Sequence, residues 1–263
     1  ADVRNLAREA PGSRIFFRLL MDAVTSDSDW PLSRKFGCQP RMLTELVSLA
    51  TDLGLDPHGI SFHVGSQQRE IPALDAAIAQ VHALFEWMKG KNVHLKAINM
   101  GGGFPADYLI KSNALSVYAE EINRYLGSHF GDAIPEIYLE PGRGLVGDAG
   151  VLASEVVLIS KKSKTDLKRW VYTDVGVFNG LMETIDESIK YPVYTGKEGE
   201  TGDVIIAGPT CDSLDIIYEH FKYQLPLSLA IGDRIYWRST GAYTASYSSV
   251  EFNGFPPLTT YYL

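Results

Sequence analysis

The feature that most constrains this chain is an alternation of short apolar runs with helical patterns across its first 145 residues. RIFFRLL (14–20), GISFHVG (59–65), HLKAINM (94–100) and EIYLEPG (136–142) read as strands. Between them, RMLTELVSLATDLG sets Leu43, Leu46, Val47, Ala50 and Leu53 at helical spacing and stops at Gly54. IPALDAAIAQVHALFEWMKG puts Leu74, Ala77, Ile78, Val81, Leu84, Phe85 and Met88 on one helical face. A third helix falls near 114–130, carrying Leu115, Tyr118, Ile122 and Tyr125. Four strand–helix units in succession require a parallel sheet with covering helices, because parallel neighbours need a crossover connection.

The texture changes after Gly147. VLASEVVLIS, RWVYTDV, DVIIAG, DRIYWRS and GAYTAS are short β-rich runs separated by Gly, Asp and Lys. KKSKTDLKR reads as a solvated hairpin end, and YTGKEGETGD (194–203) as an exposed loop. The expected organisation is an α/β domain over 1–149 and a mostly antiparallel β domain over 150–263.

Composition excludes several classes of function. A net charge of −8 and a pI near 5.3 argue against a nucleic-acid surface, which needs a basic stripe. No apolar run reaches the ~18 residues of a membrane span, and ADVRNLAREAPGSR lacks the apolar core of a signal peptide. The two cysteines, Cys38 and Cys211, lie far apart, which suits a reducing compartment. The expectation is a cytoplasmic protein with a small-molecule ligand.

In a parallel α/β architecture ligands gather at the carboxyl ends of strands. The unusual residues of the first half sit there: His63 and Ser66 in SFHVGS, Gly101, Gly102 and Gly103 in INMGGGF, and Glu140, Gly142 and Arg143 in YLEPGRG. Serine, glycine-rich backbone and arginine at successive strand ends form a phosphate cradle. Taken alone, the glycines also fit a tight turn, His63 a satisfied core histidine, and Glu140 with Arg143 an ion pair stiffening a turn. The run is neither G-x-G-x-x-G nor a P-loop. In the second half, Cys211-Asp212 follows a Gly-Pro turn, with Asp212 also placed to cap a helix running into SLDIIYEHF. Tyr243 follows Gly-Ala and fits either a polar ligand or the core.

SFHVGS, GGGFP, EPGR, GPTCDSLD and GAYTASYSSVEFNGF occur in the order of, and together resemble, the ornithine/lysine decarboxylase family of alanine-racemase-like, fold-type III pyridoxal-phosphate (PLP) enzymes. The resemblance implies the second half of a (β/α)8 barrel, its fifth to eighth strands, followed by the β domain. It implies that Ser66, the backbone of Gly102 and Gly103, Arg143 and Tyr243 hold the phosphate. His63 would stack on the pyridine ring, and Glu140 would keep the ring nitrogen protonated. Cys211 would donate the proton that replaces CO2, entering from the second subunit of a homodimer. Asp212 would bind the distal ammonium of ornithine or lysine, assisted by Asp186 or Glu187, and Lys35 would pair with Asp215 across the dimer. Arginine and diaminopimelate are the alternative substrates, and a non-catalytic binding or regulatory relative is the alternative role.

One departure from the family matters. Its Schiff-base lysine lies in a Y-x-V-K-x-N-like segment of the first barrel strand, and none of the twelve lysines here has that context. Lys96 lies at the entry of its strand, the wrong end. The resemblance therefore implies that the first half of the barrel, lysine included, comes from residues or a chain outside these 263. A half barrel also implies open sheet edges and an uncovered inner face.

Overall fold

A computed structural model of the chain describes residues 2–21 and 35–263. It contains two compact units, Ala1–Pro105 with Asn113–Gly144, and Ala106–Ser112 with Leu145–Leu263.

The first unit is built in the order α1 (Asp2–Glu9), β1 (Arg14–Arg18), α2 (Pro40–Asp52), β2 (Asp56–Ser61), α3 (Pro72–Lys89), β3 (Ala97–Asn99), α4 (Leu115–Phe130) and β4 (Glu136–Tyr138). The four strands form one parallel sheet in the order β1-β2-β3-β4. Among the described residues, strand order follows chain order with no reversal, so these four strands form no switch-point crevice. What remains for a ligand is the row of loops at the strands' carboxyl ends.

The periodicities predict the packed faces. Leu74, Ala77, Ile78, Val81, Leu84 and Met88 of α3 are buried, as are Leu43, Val47 and Ala50 of α2 and Tyr118, Ile122, Tyr125 and Leu126 of α4. Pro40 and Pro72 open their helices, where a missing N–H costs nothing. Gly54 (φ +77) and Gly131 (φ +56) follow the ends of α2 and α4 in conformations that suit glycine. The register aligns Phe17, Ile60, Ile98 and Ile137 across the sheet, and all four pack into the core with the helices. Full burial of such a side chain stabilises by about 1.5–3 kcal/mol.

Residues that alternate with this row lie on the opposite face. They include Phe16, Arg18, Asn99, Glu136 and Tyr138, with the ring edges of Phe16 against Tyr138 (5.5 Å) and His58 (5.6 Å). Phe16 and Tyr138 remain 36% and 39% exposed, and polar neighbours share their surface, so this face is less apolar than a half barrel implies.

The strands end earlier than their apolar runs. EIYLEPG contributes only Glu136–Tyr138 to the ladder, and HLKAINM only Ala97–Asn99. Beyond these points the bonds continue irregularly, from Met100 N to the Tyr138 carbonyl (3.0 Å) and from Glu140 N to that of Gly101 (2.8 Å). The residues of the expected site are the ones that leave the ladder.

The second unit follows α5, a single turn at Arg143–Val146. It is a six-stranded sheet of β5 (Val151–Ser160), β6 (Arg169–Thr173), β7 (Val193–Tyr194), β8 (Thr201–Ala207), β9 (Ile216–Pro226) and β10 (Arg234–Arg238), in the order β7-β10-β5-β6-β8-β9. Only β6 and β8 pair in parallel; every other pairing is antiparallel. Its core includes Val156, Val171, Ile206, Tyr218, Ile235 and Trp237, with the indole N–H donating to Ser154 Oγ (2.9 Å). KKSKTDLKR closes the β5–β6 hairpin as expected.

Two expectations are corrected. SLDIIYEHF is not a helix; Ile216 onward is the long strand β9, whose β-branched and aromatic residues fit a pleated surface. GAYTAS is not a strand. Ser239 (φ +59) and Tyr243 (φ +56) turn the backbone left-handed, and Ala245–Tyr247 form a 3-10 turn.

Candidate active site

The carboxyl ends of β2, β3 and β4 are laced together in the first unit. After β2, the segment His63–Gln68 turns through Gly65 (φ +101) and Gln67 (φ +56). His63 Nδ1 accepts from Gly65 N (2.9 Å), and the buried Gln68 donates its backbone N–H to the Gly103 carbonyl (2.8 Å). After β3, Gly101 (φ +64) and Gly103 (φ +98) adopt left-handed conformations. Space demands glycine as well. A Cβ on Gly101 would meet the Phe62 carbonyl at 2.6 Å, and one on Gly102 the Glu140 carbonyl at 2.6 Å. After β4, Arg143 opens α5 with 3% of its surface exposed, and its Nε (3.3 Å) and Nη2 (3.1 Å) donate to Ser66 Oγ.

The His63 ring lies over this glycine run. Its Cδ2 stands 3.1 Å from a Cβ position on Gly101, and its Nε2 3.5 Å from one on Gly102. Burial foremost, and the Arg18 charge after it, lower the imidazole pKa against the opposing pull of Glu140, leaving it at about 4. The ring is therefore neutral at physiological pH, with its proton on Nε2 because Nδ1 is an acceptor. Between pH 6.5 and about 4 the unfolded chain binds a proton at this position and the folded chain does not, so stability falls as pH falls through that window. Replacing His63 by Asn keeps an acceptor for Gly65 N–H and removes the titration. Urea unfolding of His63→Asn is expected to lose, over that window, a pH-dependent destabilisation of about 3 kcal/mol that the wild type shows; parallel profiles for the two proteins refute the neutral-ring assignment.

Two further residues join this group that the sequence reading missed. Asn99 donates through Nδ2 to Glu140 Oε1 (2.7 Å) and accepts from Gly101 N through Oδ1 (2.8 Å), tying the carboxylate to the glycine run. Arg18 stands at the end of β1, on the face opposite the core row, and shares an electrostatic field with His63 and Glu140. The signal for both was positional: each ends a parallel strand one or two residues before its loop.

The second unit carries the remaining candidates. Cys211 is exposed and Asp212 half-buried in the loop between β8 and β9, where Asp212 Oδ1 accepts from Leu214 N (2.9 Å) in an Asx turn. Tyr243 is half-buried, edge-on to Tyr247 at 5.3 Å. Asp186 is exposed with φ +54. Two of the expected residues have backbone partners within their own unit. Glu187 is committed to backbone: its oxygens accept from Glu219 N (2.6 Å), His220 N (2.7 Å) and Phe221 N (2.8 Å). Asp215, expected to face Lys35 of a partner, is 3% exposed and bonded within its own unit. Lys35 itself is exposed, its Nζ 5.3 Å from the Phe36 ring centre.

A hydroxyl in contact with a buried guanidinium is a donor pair of the kind that suits a phosphate, and a neutral imidazole over glycine backbone with an oriented carboxylate is of the kind that suits a protonated heteroaromatic ring. The family profile for the pyridoxal-binding domain of pyridoxal-dependent decarboxylases matches residues 1–147, and the chain belongs to that family. It is 30% identical over 256 residues to the lysine/ornithine decarboxylase of Selenomonas ruminantium, covering 97% of this chain and 62% of that enzyme. A structure of SrLDC, the Selenomonas lysine decarboxylase, in complex with PLP and cadaverine superposes with a TM-score of 0.83 at 27% identity, covering 97% of this chain and 62% of that one. The arginine decarboxylase of Paramecium bursaria Chlorella virus gives 0.87 at 27% identity, over 100% of this chain and 69% of that one. The chain thus spans less than two thirds of the length of the Selenomonas enzyme. No helix among the described residues is long and apolar enough to cross a membrane.

Proposed function

We propose that this chain forms the fifth to eighth strands of a PLP-binding (β/α)8 barrel plus the β domain of a decarboxylase for a basic amino acid, ornithine or lysine. The observation that carries this reading is the contact of Arg143 with Ser66 beside Gly102 and Gly103, a donor set that fits a phosphate dianion. Ser66, Arg143 and the Gly102–Gly103 backbone would hold the phosphate, with Tyr243 added by its place in the matched motif. His63 offers a neutral ring face to the pyridine. Glu140, held by Asn99, would keep the ring nitrogen protonated. PLP when bound supplies an electron sink for the charge released by loss of the carboxylate.

The chain's own residues then direct the outcome. Asp212 would hold the distal ammonium, with Asp186 rather than Glu187 free to assist. As the bond to CO2 breaks, its electron pair stays on the α-carbon, and Cys211 of the partner subunit in a homodimer would deliver the proton that forms the new C–H bond. None of the segments directly following the four strands (19–21, 62–66, 100–104 and 139–143) contains a lysine, so the lysine that would hold the PLP aldehyde is assigned to residues outside these 263.

The test supplies that lysine by co-expressing the chain with a polypeptide covering the remaining length of the family. CO2 release is then measured from ornithine, lysine, arginine and diaminopimelate. Release from ornithine or lysine in preference to the other two is expected; release from none of the four overturns the reading. Replacing Cys211 by Ala is expected to lower kcat by about 10²-fold or more, the usual contribution of a positioned proton donor. An unchanged kcat and product removes the cysteine from the chemistry.

A further inference from the structure

Asp215 is a buried carboxylate with a conspicuous set of partners. Its Oδ1 accepts from Val177 N (2.8 Å), and its Oδ2 from Thr210 N (2.9 Å) and Thr210 Oγ1 (2.7 Å). Its own carbonyl accepts from Gly208 N (2.8 Å), and its own N–H donates to the Asp212 carbonyl (3.1 Å). β6 and β8 are parallel neighbours, so their carboxyl ends lie side by side. Val177 belongs to the loop that leaves β6, and Gly208 and Thr210 to the loop that leaves β8. One side chain therefore ties both loops together, and the second of them carries Cys211 and Asp212.

Two glycines make room for it. A Cβ on Gly176 or on Gly208 would fall on Asp215 Oδ1, inside any allowed contact distance. Neither glycine is among those with positive φ, so the demand at both positions is for space and not for a left-handed backbone. The backbone on the β6 side is fixed in turn by Asn179, whose Oδ1 accepts from Gly176 N (2.6 Å) and whose Nδ2 donates to the Asp174 carbonyl (3.1 Å).

We propose that Asp215 is a positioning residue that holds the Cys211–Asp212 loop in a single conformation by bridging the loops after β6 and β8. Its importance to chemistry rests on the assignment of Cys211 and Asp212 proposed above; its effect on the loop does not. The bond set explains why a carboxylate is required. An asparagine retains one acceptor, and in either orientation turns its NH2 group toward a backbone N–H, that of Val177 or that of Thr210.

The test uses the 263-residue chain without cofactor and reads hydrogen exchange by peptide mass spectrometry beside the alkylation of Cys211 by iodoacetamide, with Cys38 as internal reference. In Asp215→Asn, exchange over 174–179 and 208–215 is expected to accelerate about tenfold or more, as charge-assisted bonds to backbone amides are lost. Alkylation of Cys211 relative to Cys38 is expected to rise about threefold or more as the loop opens. Peptides from β5 and β10 are expected to stay unchanged. Gly208→Ala, which displaces the carboxylate without removing its charge, is expected to reproduce the local effect. Unaltered protection in both loops overturns the proposal, and so does acceleration spread evenly over the second unit, the signature of a merely structural role. Should neither variant fold, Thr210→Val, which removes one donor of three, decides by the same local-against-even criterion. In the co-expressed assembly, Asp215→Asn added to Cys211→Ala is expected to lower kcat no further than Cys211→Ala alone. An additive loss there with the local opening intact separates failure of the cysteine assignment from failure of the loop assignment.

Discussion

Replacing Arg143 by methionine is expected to weaken binding of pyridoxine 5′-phosphate about 10- to 150-fold, the equivalent of the 1.5–3 kcal/mol that a charge-assisted hydrogen bond contributes. The alcohol is the appropriate probe because, lacking the aldehyde, it needs no lysine and reads the cradle alone. Arg143 is suited to this role by position and burial together. At 3% exposure its guanidinium is shielded from water, so each bond to a phosphate oxygen is made in a weakened dielectric, and its contact with Ser66 holds it at the carboxyl ends of β2 and β4. Methionine conserves most of the buried stem, which separates the loss of charge from the loss of packing. Lysine at this position is expected to recover only part of the affinity, since a single ammonium does not reproduce a planar fork. Fluorescence titration gives both numbers. A change of less than about twofold for Arg143→Met, well under one such bond, means the phosphate does not sit here.

The sequence was legible where one physical demand dominated. Helical faces in α2, α3 and α4 follow from burial alone, and most buried residues are those that the apolar spacing marks; on α4, Leu115 is exposed at the first turn and Leu126 is buried in its stead. The glycines at 101–103 were legible for a similar reason: a run without side chains at a strand end has few explanations, and close approach to the Phe62 and Glu140 carbonyls is the one realised. Strand ends were harder to read, because apolar residues such as Leu139 and Met100 continue the pattern after the ladder has stopped. β9 was misread because Glu219, His220 and Lys222 interrupt its apolar alternation, and tertiary pairing with β8 overrides that signal.

The site divided along the same line. Ser66 and Arg143 are brought together from positions 77 residues apart, as expected of adjacent strand ends. Asn99 and Arg18 escaped because their types are common and only their register gives them meaning. Asp215 and Glu187 take their outward-looking roles from the family resemblance alone, not from any local pattern. Both turn inward to backbone N–H groups, and nothing local in the sequence announces which donors will lack other partners.

Glu187 provides the second large effect. The pairing of β8 with β9 is interrupted between Tyr218 and Tyr223, and the amides of Glu219, His220 and Phe221 fall in that interruption. The Glu187 carboxylate accepts from all three, standing in for a missing stretch of strand, while Lys190 Nζ donates to the Glu187 carbonyl. Glu187→Gln keeps the shape, removes the charge and sets an NH2 group against backbone donors. It is expected to cost about 2–4 kcal/mol at neutral pH, one to two charge-assisted bonds with some relief from water at this half-buried site. The pH dependence has a definite sign. Burial raises the carboxyl's pKa, but the three N–H donors outweigh it and hold the group below its ordinary 4.5. The stabilisation is therefore complete above pH 4.5 and is lost as pH falls through the lower folded value. Urea midpoints of wild type and Glu187→Gln are expected to differ most near pH 7 and to converge as the medium is acidified below 4.5. That window opens at 4.5, near the lower end of the one in which His63 acts, so the two contributions separate over most of a single series. A difference that stays constant down to pH 3 would mean the carboxylate's charge contributes nothing to holding the interruption in β9.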